Sequence, residues 1–551
     1  MKKLISFFLV CVLILCSGGC TKGGKDPEAE TIVLSDQEVL LNGKTVGSDP
    51  SGPVYISNDV IYYEDRDAYD SGNLYGEGGA EDRHAAEDVA GTTVVNITQA
   101  GTYHICGKLS EGQLRIDLGE DARTDPSAVV TLILDGAEIA CSVAPAILFL
   151  NVYECDNGWS AETASADVDT STAGANLIVA DGSENTITGS HVAKIYKDAD
   201  GEKKLWKQDG TVYSYMSMNI DGGPAGDGVL TVIADNEGID TELHLTINGG
   251  VVRIYAQDDG INTNEDGVSV TTINGGLVHI LGGLGQEGDG IDSNGWLVIN
   301  GGTVIAAANP GADAGLDSDM GSYINGGTVV ALGSTMDWPE SDSEQVTINL
   351  QFSERQDAGD AIVVKDTDGK VIFAYDPSAD EAASENLRQY QGAVLSCPAF
   401  ETEATYQLFV GGTLTGTEVS GIYEAGGVTA YTDGAKQVYT GTDVRSMGPM
   451  PGGFFGGGFP GEMPEMPDGW QPPEGGERPG FAPPESGEEP PADGQRPDGA
   501  PSEGMPDAPG EGMPTRPGSD AGEAPDAETP SDLFYMQDKV NSFSGVRAAE
   551  S

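Results

Sequence analysis

Positive charge is what this chain has least of. Against 89 Asp and Glu stand 27 Lys and Arg, a formal net charge of −62 over 551 residues. Binding phosphate requires clustered Lys and Arg, so nucleic acid is excluded as an ordinary partner and an anionic membrane surface is disfavoured. The same imbalance favours divalent cations wherever carboxylates crowd together. Between 227 and 334 there is no lysine and a single arginine, Arg253. The five histidines are scattered, and neither a Ser-His-Asp arrangement nor a phosphate loop is visible. Cysteine is scarce as well: three of seven fall in the first twenty residues. The spacing of Cys106, Cys141, Cys155 and Cys397 matches neither a disulfide framework nor a zinc site.

A long apolar run occurs once, from Leu4 to Leu15, behind Lys2 and Lys3. That pattern reads as a secretory signal over 1–20, too short to span a bilayer comfortably. Ser-Gly-Gly-Cys at its end resembles a bacterial lipobox, although Ser17 stands where that motif prefers Leu. Cys20 is therefore the expected lipidation site. The protein is expected to be extracellular, lipid-anchored at the outer face of a bacterial cytoplasmic membrane.

What the chain has in plenty is repetition. "INGG" occurs at 247–250, 273–276, 299–302 and 324–327, in steps of 26, 26 and 25 residues. Each copy precedes a strand-like run ("VVRIYAQ", "LVHILGG", "TVIAAAN", "TVVALGS"). Acidic turns follow the first three at 258–262, 288–292 and 313–317, and "NEGID" at 236–240 opens the series. A helix reading fails on the glycines, the β-branched residues and the missing 3.6-residue stripe. A propeller would show hairpin signals inside each repeat. Short strands broken by Gly-Gly at this period predict an all-β fold, a right-handed single-stranded parallel β-helix. Stacking would make an inward ladder of Ile247, Ile273, Ile299 and Ile324, a second of Val252, Val278, Val304 and Val329, and an amide ladder of Asn248, Asn274, Asn300 and Asn325. Thr271 and Ser322 stand where Leu245 and Leu297 precede the ladder isoleucine, so a bulge or looser packing is expected in those coils.

The remaining segments divide around the repeats. Residues 21–90 read as a linker and an N-terminal cap, and 91–340 as the β-helix, interrupted at 191–226 by a polar insertion. Residues 341–446 form a small antiparallel β module at the other end, with a hairpin around Asp368-Gly369. Residues 447–531 hold 20 of the 30 prolines and are expected to be disordered. Residues 532–551 regain strand-like alternation and could dock back.

Repeats in register would pile up carboxylates. Ionised groups one strand spacing apart repel by about 3–4 kcal/mol at an effective dielectric near 20. They must protonate, splay into water or take a cation, and calcium, with its hard oxygen ligands, suits the third course. Asp-Gly as a plain turn former is the competing account. A binding alternative comes from Tyr255, Trp296 and Tyr323, aromatic faces on which sugar rings stack. Arg253, flanked by inward Val252 and Ile254, points outward and is the one weak catalytic candidate, as a lyase base.

"NITQAGTYHICGKLSEGQLRIDL" at 96–118, "VTLILDGAEI", "GSENTITGS" and the "DGID…INGGTV" coils resemble the clostridial carbohydrate-binding β-helix family. The likeness spans roughly 90–335. It implies a pectate-lyase-like fold, binding of cellulose and acidic polysaccharides, and calcium ions held at the β-helix. Its acidic-turn positions correspond here to Asp240, Asp259, Asn262, Asp289, Asp292 and Asp317. The turn at 313–317 departs from the pattern, with Ala314 in place of the first Asp. The expectation is a monomeric surface protein that binds polysaccharide without catalysis. A polysaccharide lyase or glycoside hydrolase, and a structural or adhesive surface protein, are the alternatives.

Overall fold

The computed structural model describes residues 29–63, 78–196 except 159, 204–442 except 335, 381, 382, 385 and 433, and 530–550. The signal segment with Cys20 and most of the proline-rich stretch lie outside the described residues. Among the described residues the regular secondary structure is nearly all strand, the one α-helix being Ala86–Val89. No helix among the described residues is long and apolar enough to cross a membrane.

Three parallel ladders organise the repeats. The first runs through Ala175–Val179, Met218–Gly222, Leu245–Ile247, Val270–Ile273, Trp296–Ile299 and Gly321–Ile324. The second holds Glu184–Gly189, Val229–Ala234, Val251–Ala256, Leu277–Leu281, Thr303–Ala307 and Thr328–Gly333. The third holds Thr93–Ile97, Gly112–Asp117, Ile147–Asn151, Gly210–Ser214, Glu237–Thr241, Ile261–Thr263 and Ile291–Ser293. From Met218 onward the chain visits first, second and third in rotation. The long strand Val130–Ala140 belongs to two ladders at once, its start pairing with Ala175–Val179 and its end with Glu184–Gly189.

Register explains the Ile-Asn-Gly-Gly sentence residue by residue. Ile247, Ile273, Ile299 and Ile324 pair in a row, as do Val252, Val278, Val304 and Val329, and all eight are fully buried. The last glycine of each copy turns the corner with φ of +85°, +83°, +78° and +85° at Gly250, Gly276, Gly302 and Gly327. Close stacking excludes a side chain at the preceding glycine too: a Cβ on Gly301 would lie 2.6 Å from the Asn274 carbonyl oxygen.

Two expectations are corrected here. No register shift occurs at Thr271 or Ser322. Their hydroxyls find interior partners instead, Thr271 with Thr263 at 3.2 Å and Ser322 with Ser318 at 2.9 Å, so the polar groups are satisfied without distorting the strands. The insertion is also shorter than 191–226. Only Val192–Tyr196 and Lys204–Gln208 form an antiparallel excursion, while Gly210–Ser214 and Met218–Gly222 are ladder strands.

Both ends of the stack are covered. At the start, Val54–Ser57 pairs antiparallel with Thr93–Ile97, and Glu30–Leu34 extends another edge beside Gly101–Leu109. At the far end, Met336 and Trp338 enter the interior core, and backbone N–H groups of Asp337, Glu340 and Gln345 bond Leu316, Ser322 and Ile324. Thr328–Gly333 pairs antiparallel with Tyr390–Ser396, which pairs with Thr347–Gln356, and Val540–Ala548 lies parallel beside the latter. This C-terminal part also buries the outer face of the second ladder: Leu281, Ile305 and Val330 share a core with Phe352, Tyr375 and Phe543.

Candidate functional site

Strands of the third ladder begin at the acidic turns. Register sets Asp240, Asn262 and Asp292 side by side, and the bridge between Ile291 and Leu316 brings Asp317 next in the row. Three positions earlier a second row holds Glu237, Asp259, Asp289 and Ala314. Part of this row serves the backbone. The Asp289 N–H donates to Asp259 Oδ1 at 2.6 Å, and the Ala314 N–H donates to Asp289 Oδ1 at 2.5 Å. Burial, with Asp259 and Asp317 adding to it, pushes Asp289 up to about 9. Burial, Asp317 and Asp319 push Asp292 up to about 7. Stacked carboxylates have been moved into a desolvated row where ionising all of them is unfavourable.

At its start the row closes into a pocket. Gly210 pairs with Glu237 and Tyr213 with Asp240, which brings carboxylate oxygens of Asp209, Glu237 and Asp240 within 4.8 Å of one another, all three buried. Asn262 Nδ2 donates to Glu237 Oε1 at 3.1 Å and Asn264 Nδ2 to Asp240 Oδ1 at 2.7 Å. Glu237 Oε2, Asp240 Oδ2 and Asn262 Oδ1 are left buried with no hydrogen-bond partner. Burial, with repulsion from Asp240 and Asp209 at Glu237 and from Asp209 and Glu242 at Asp240, holds both carboxyls far above the usual carboxylate range. Lys207 pairs with Asp209; burial opposes its charge, but Asp209, Glu237 and Asp240 outweigh that and keep its ammonium protonated. A lysine so held is a poor proton acceptor. Three unpartnered buried oxygens, two of them carboxylate, suit a hard cation such as calcium.

Of the residues expected to ligate, Asp240 and Asn262 thus meet at this pocket, whereas Asp259, Asp289, Asp292 and Asp317 continue along the row. Asp209, Glu237 and Lys207 escaped the sequence reading. Glu237 carried a signal, since in "NEGID" it occupies the place that Asp259 and Asp289 take in later turns. Asp209 had none, because its strand carries Tyr213 where the other repeats have Asp or Asn.

The first ladder presents a second feature on its outer face. The amides form one continuous chain: Asn274 Nδ2 donates to Asn248 Oδ1 at 2.9 Å, Asn300 Nδ2 to Asn274 Oδ1 at 3.0 Å, and Asn325 Nδ2 to Asn300 Oδ1 at 3.0 Å. The Glu344 N–H closes it on Asn325 Oδ1 at 3.2 Å. Beside this chain Thr272, Val298 and Tyr323 pair as a vertical row. Together they floor a cleft of about 500 Å³. One wall is residues 166–168, from a segment pinned to the ladder where the Thr170 hydroxyl meets Asn219 Oδ1 at 2.8 Å and Thr246 Oγ1 at 2.7 Å. The other carries Asp342 and Glu344.

The three predicted aromatics do not share one surface. Trp296 and Tyr323 stand on the outer face of the first ladder, on adjacent strands. Tyr255 stands on the second ladder between Ile233 and Leu281 and packs against the C-terminal core. Arg253 is on that ladder too, between Thr231 and His279, away from both the acidic pocket's residues and the cleft floor.

Comparison with known proteins bears on what these features serve. A protein of Acetivibrio thermocellus described as a carbohydrate-binding domain-containing protein is 28% identical over 180 residues, which cover 32% of this chain and 51% of the relative. The chain thus spans about half the length of that relative. No solved structure matches. The profile of the family described as carbohydrate-binding domain-containing protein matches residues 91–379, the ladders and the start of the C-terminal part together. By that match, over more than half its length, the chain belongs to the carbohydrate-binding domain-containing protein family.

Proposed function

We propose that the protein binds polysaccharide without catalysis, in the cleft on the outer face of the first ladder. The observation that carries this is the cleft floor itself, where the aromatic face of Tyr323 adjoins an unbroken row of exposed amides. Aromatic rings take the apolar faces of sugars, and amides both donate to and accept from hydroxyls. Trp296, one strand back on the same face, extends the platform; Tyr255 has a packing role.

The scaffold for this reading is a single right-handed parallel β-helix, supported by the rotation of the chain through three parallel ladders. Calcium is the proposed resident ion. Asp209, Glu237, Asp240 and Asn262 would hold it, supported by the unpartnered buried oxygens of the last three and the closeness of Asp209, and it would add to the positive charge that Lys207 alone supplies there. Asp259, Asp289, Asp292 and Asp317 are proposed to extend that cation-dependent row. The protein is proposed to act as an extracellular monomer anchored through a lipid on Cys20, with the signal-like start of the chain as its support.

Native affinity gels containing soluble polysaccharide test the binding. Retardation of the wild-type protein with no release of sugar, and loss of retardation in Tyr323→Ala, is the expected result. Release of unsaturated or reducing-end products would replace this reading by an enzymatic one.

A further inference from the structure

We propose that the cleft selects uncharged glycans, taking a run of about three sugar rings along the amide chain, and excludes polyuronates. This rests on the reading of the cleft as the sugar site, and it departs from the acidic-polysaccharide binding that the sequence resemblance implies.

Charge around the cleft has one sign. Asp167 stands on one wall and Asp342 and Glu344 on the other, all exposed, and no Lys, Arg or His lines the space. The segments that build the walls deepen this field. Residues 154–173 contain Glu154, Asp156, Glu162, Asp167 and Asp169 with no basic residue, and 335–346 contain Asp337, Glu340, Asp342 and Glu344, again with none. The phenol of Tyr323 reports the same field: burial raises it above its ordinary value, and Asp342 and Glu340 raise it further. The one arginine of the repeats, Arg253, is on another ladder. A uronate polymer would bring a carboxylate per ring into a concave, uniformly acidic site.

Hydrogen-bond chemistry points the same way. Within the chain each asparagine uses one N–H and one oxygen lone pair on its neighbours, which leaves one N–H and one lone pair per coil to face the cleft. A hydroxyl donates and accepts and can satisfy both. A carboxylate only accepts, so it leaves the amide oxygens without a donor and meets no cation.

The extent of the site follows from what covers the ladder. The segment through Thr170 sits on Asn219 and Thr246, so the row opens only at Thr272 and runs through Val298 to Tyr323. Asn274, Asn300 and Asn325 line the same three levels. Successive levels are one strand spacing apart, roughly 4.8 Å, comparable to the length of one pyranose ring. A polymer lying along the ladder would place one ring on each level.

The experiment is isothermal titration of the full chain, metal-loaded and then exchanged into low-salt buffer with no free divalent cation to bridge carboxylates, with neutral hexasaccharides (gluco-, xylo- and manno-) and with a galacturonate hexamer. At least one neutral hexamer is expected to bind at least tenfold more tightly than the galacturonate hexamer. The double variant Asp342→Asn/Glu344→Gln, checked for an unchanged melting temperature, is expected to raise galacturonate affinity several-fold. Galacturonate binding equal to or tighter than every neutral hexamer would overturn the selectivity and leave polysaccharide binding standing. Binding of none of the hexamers would overturn the cleft as a sugar site, and the selectivity with it.

Discussion

Asn300 and Asn274 are 26 residues apart in the chain, and the Nδ2 of the first donates to the Oδ1 of the second across 3.0 Å. Every amide in the row points the same way, from Glu344 back towards Asn248. The contact both locks the coils in register and builds the floor of the cleft.

Removing one amide therefore has two readouts. Asn300→Ala breaks two hydrogen bonds on a partly exposed face, each contributing about 0.5–1.5 kcal/mol net. Chemical denaturation is expected to show a loss of about 1–2 kcal/mol, and affinity gels a weaker retardation by polysaccharide.

The corner glycines tolerate less. Gly302 has φ +78°, and a Cβ there would sit 2.7 Å from the Gly275 carbonyl carbon and the Gly276 oxygen. Gly302→Ala is expected to cost about 2 kcal/mol or more. A melting temperature equal to wild type would contradict the stacking as described.

Proton and metal linkage share the acidic row. Asp289 (about 9), Asp292 (about 7) and Asp258 (about 6) are all raised above the unfolded range near 4. A carboxyl raised in the folded state is bound to its proton more tightly there than in the unfolded chain. Folding stability is thus lowest above the folded values and rises as pH falls from about 9 towards about 4. In EDTA the protein is expected to melt higher at pH 5.5 than at pH 8. Calcium is expected to raise the pH 8 value by several degrees and flatten the slope. Thermal scans of metal-loaded protein that do not respond to EDTA would remove calcium from the account.

Neutralising the pocket separates charge from fold. Glu237→Gln/Asp240→Asn removes two repelling carboxylates at nearly constant shape. In EDTA at pH 8 the variant is expected to be at least as stable as wild type, and the rise of its melting temperature with calcium should be smaller than that of wild type.

Ligand length gives an independent ruler for the cleft. Affinity for neutral oligosaccharides is expected to rise steeply to the trimer and then level off, and Arg253→Ala to leave it unchanged. A continued steep rise beyond six rings would place the sugar on a longer surface.

Periodicity made the ladders readable. Ile273 and Val278 recur at a fixed step, and only one arrangement puts all their equivalents inside. What periodicity could not show was set by contacts distant in the chain. Alternation marks His279 and Ile305 as outward residues on the second ladder, yet both are buried because the C-terminal part covers that face. The same cover packs against Tyr255 and leaves it half-buried. Thr271 reads as a defect until Thr263, from a different ladder, is seen to complete it. Of the acidic pocket, Asp240 and Asn262 were visible as repeat positions, whereas Asp209 follows an excursion that obscures the period.

The reversal of direction where Tyr390–Ser396 meets Thr328–Gly333 matters beyond this molecule. A stack of parallel coils with bare ends would be a template for polymerisation, each copy continuing the next into a fibre. An antiparallel partner, with Met336 and Trp338 as a plug, terminates that growth, so copies held at high concentration are kept from joining end to end.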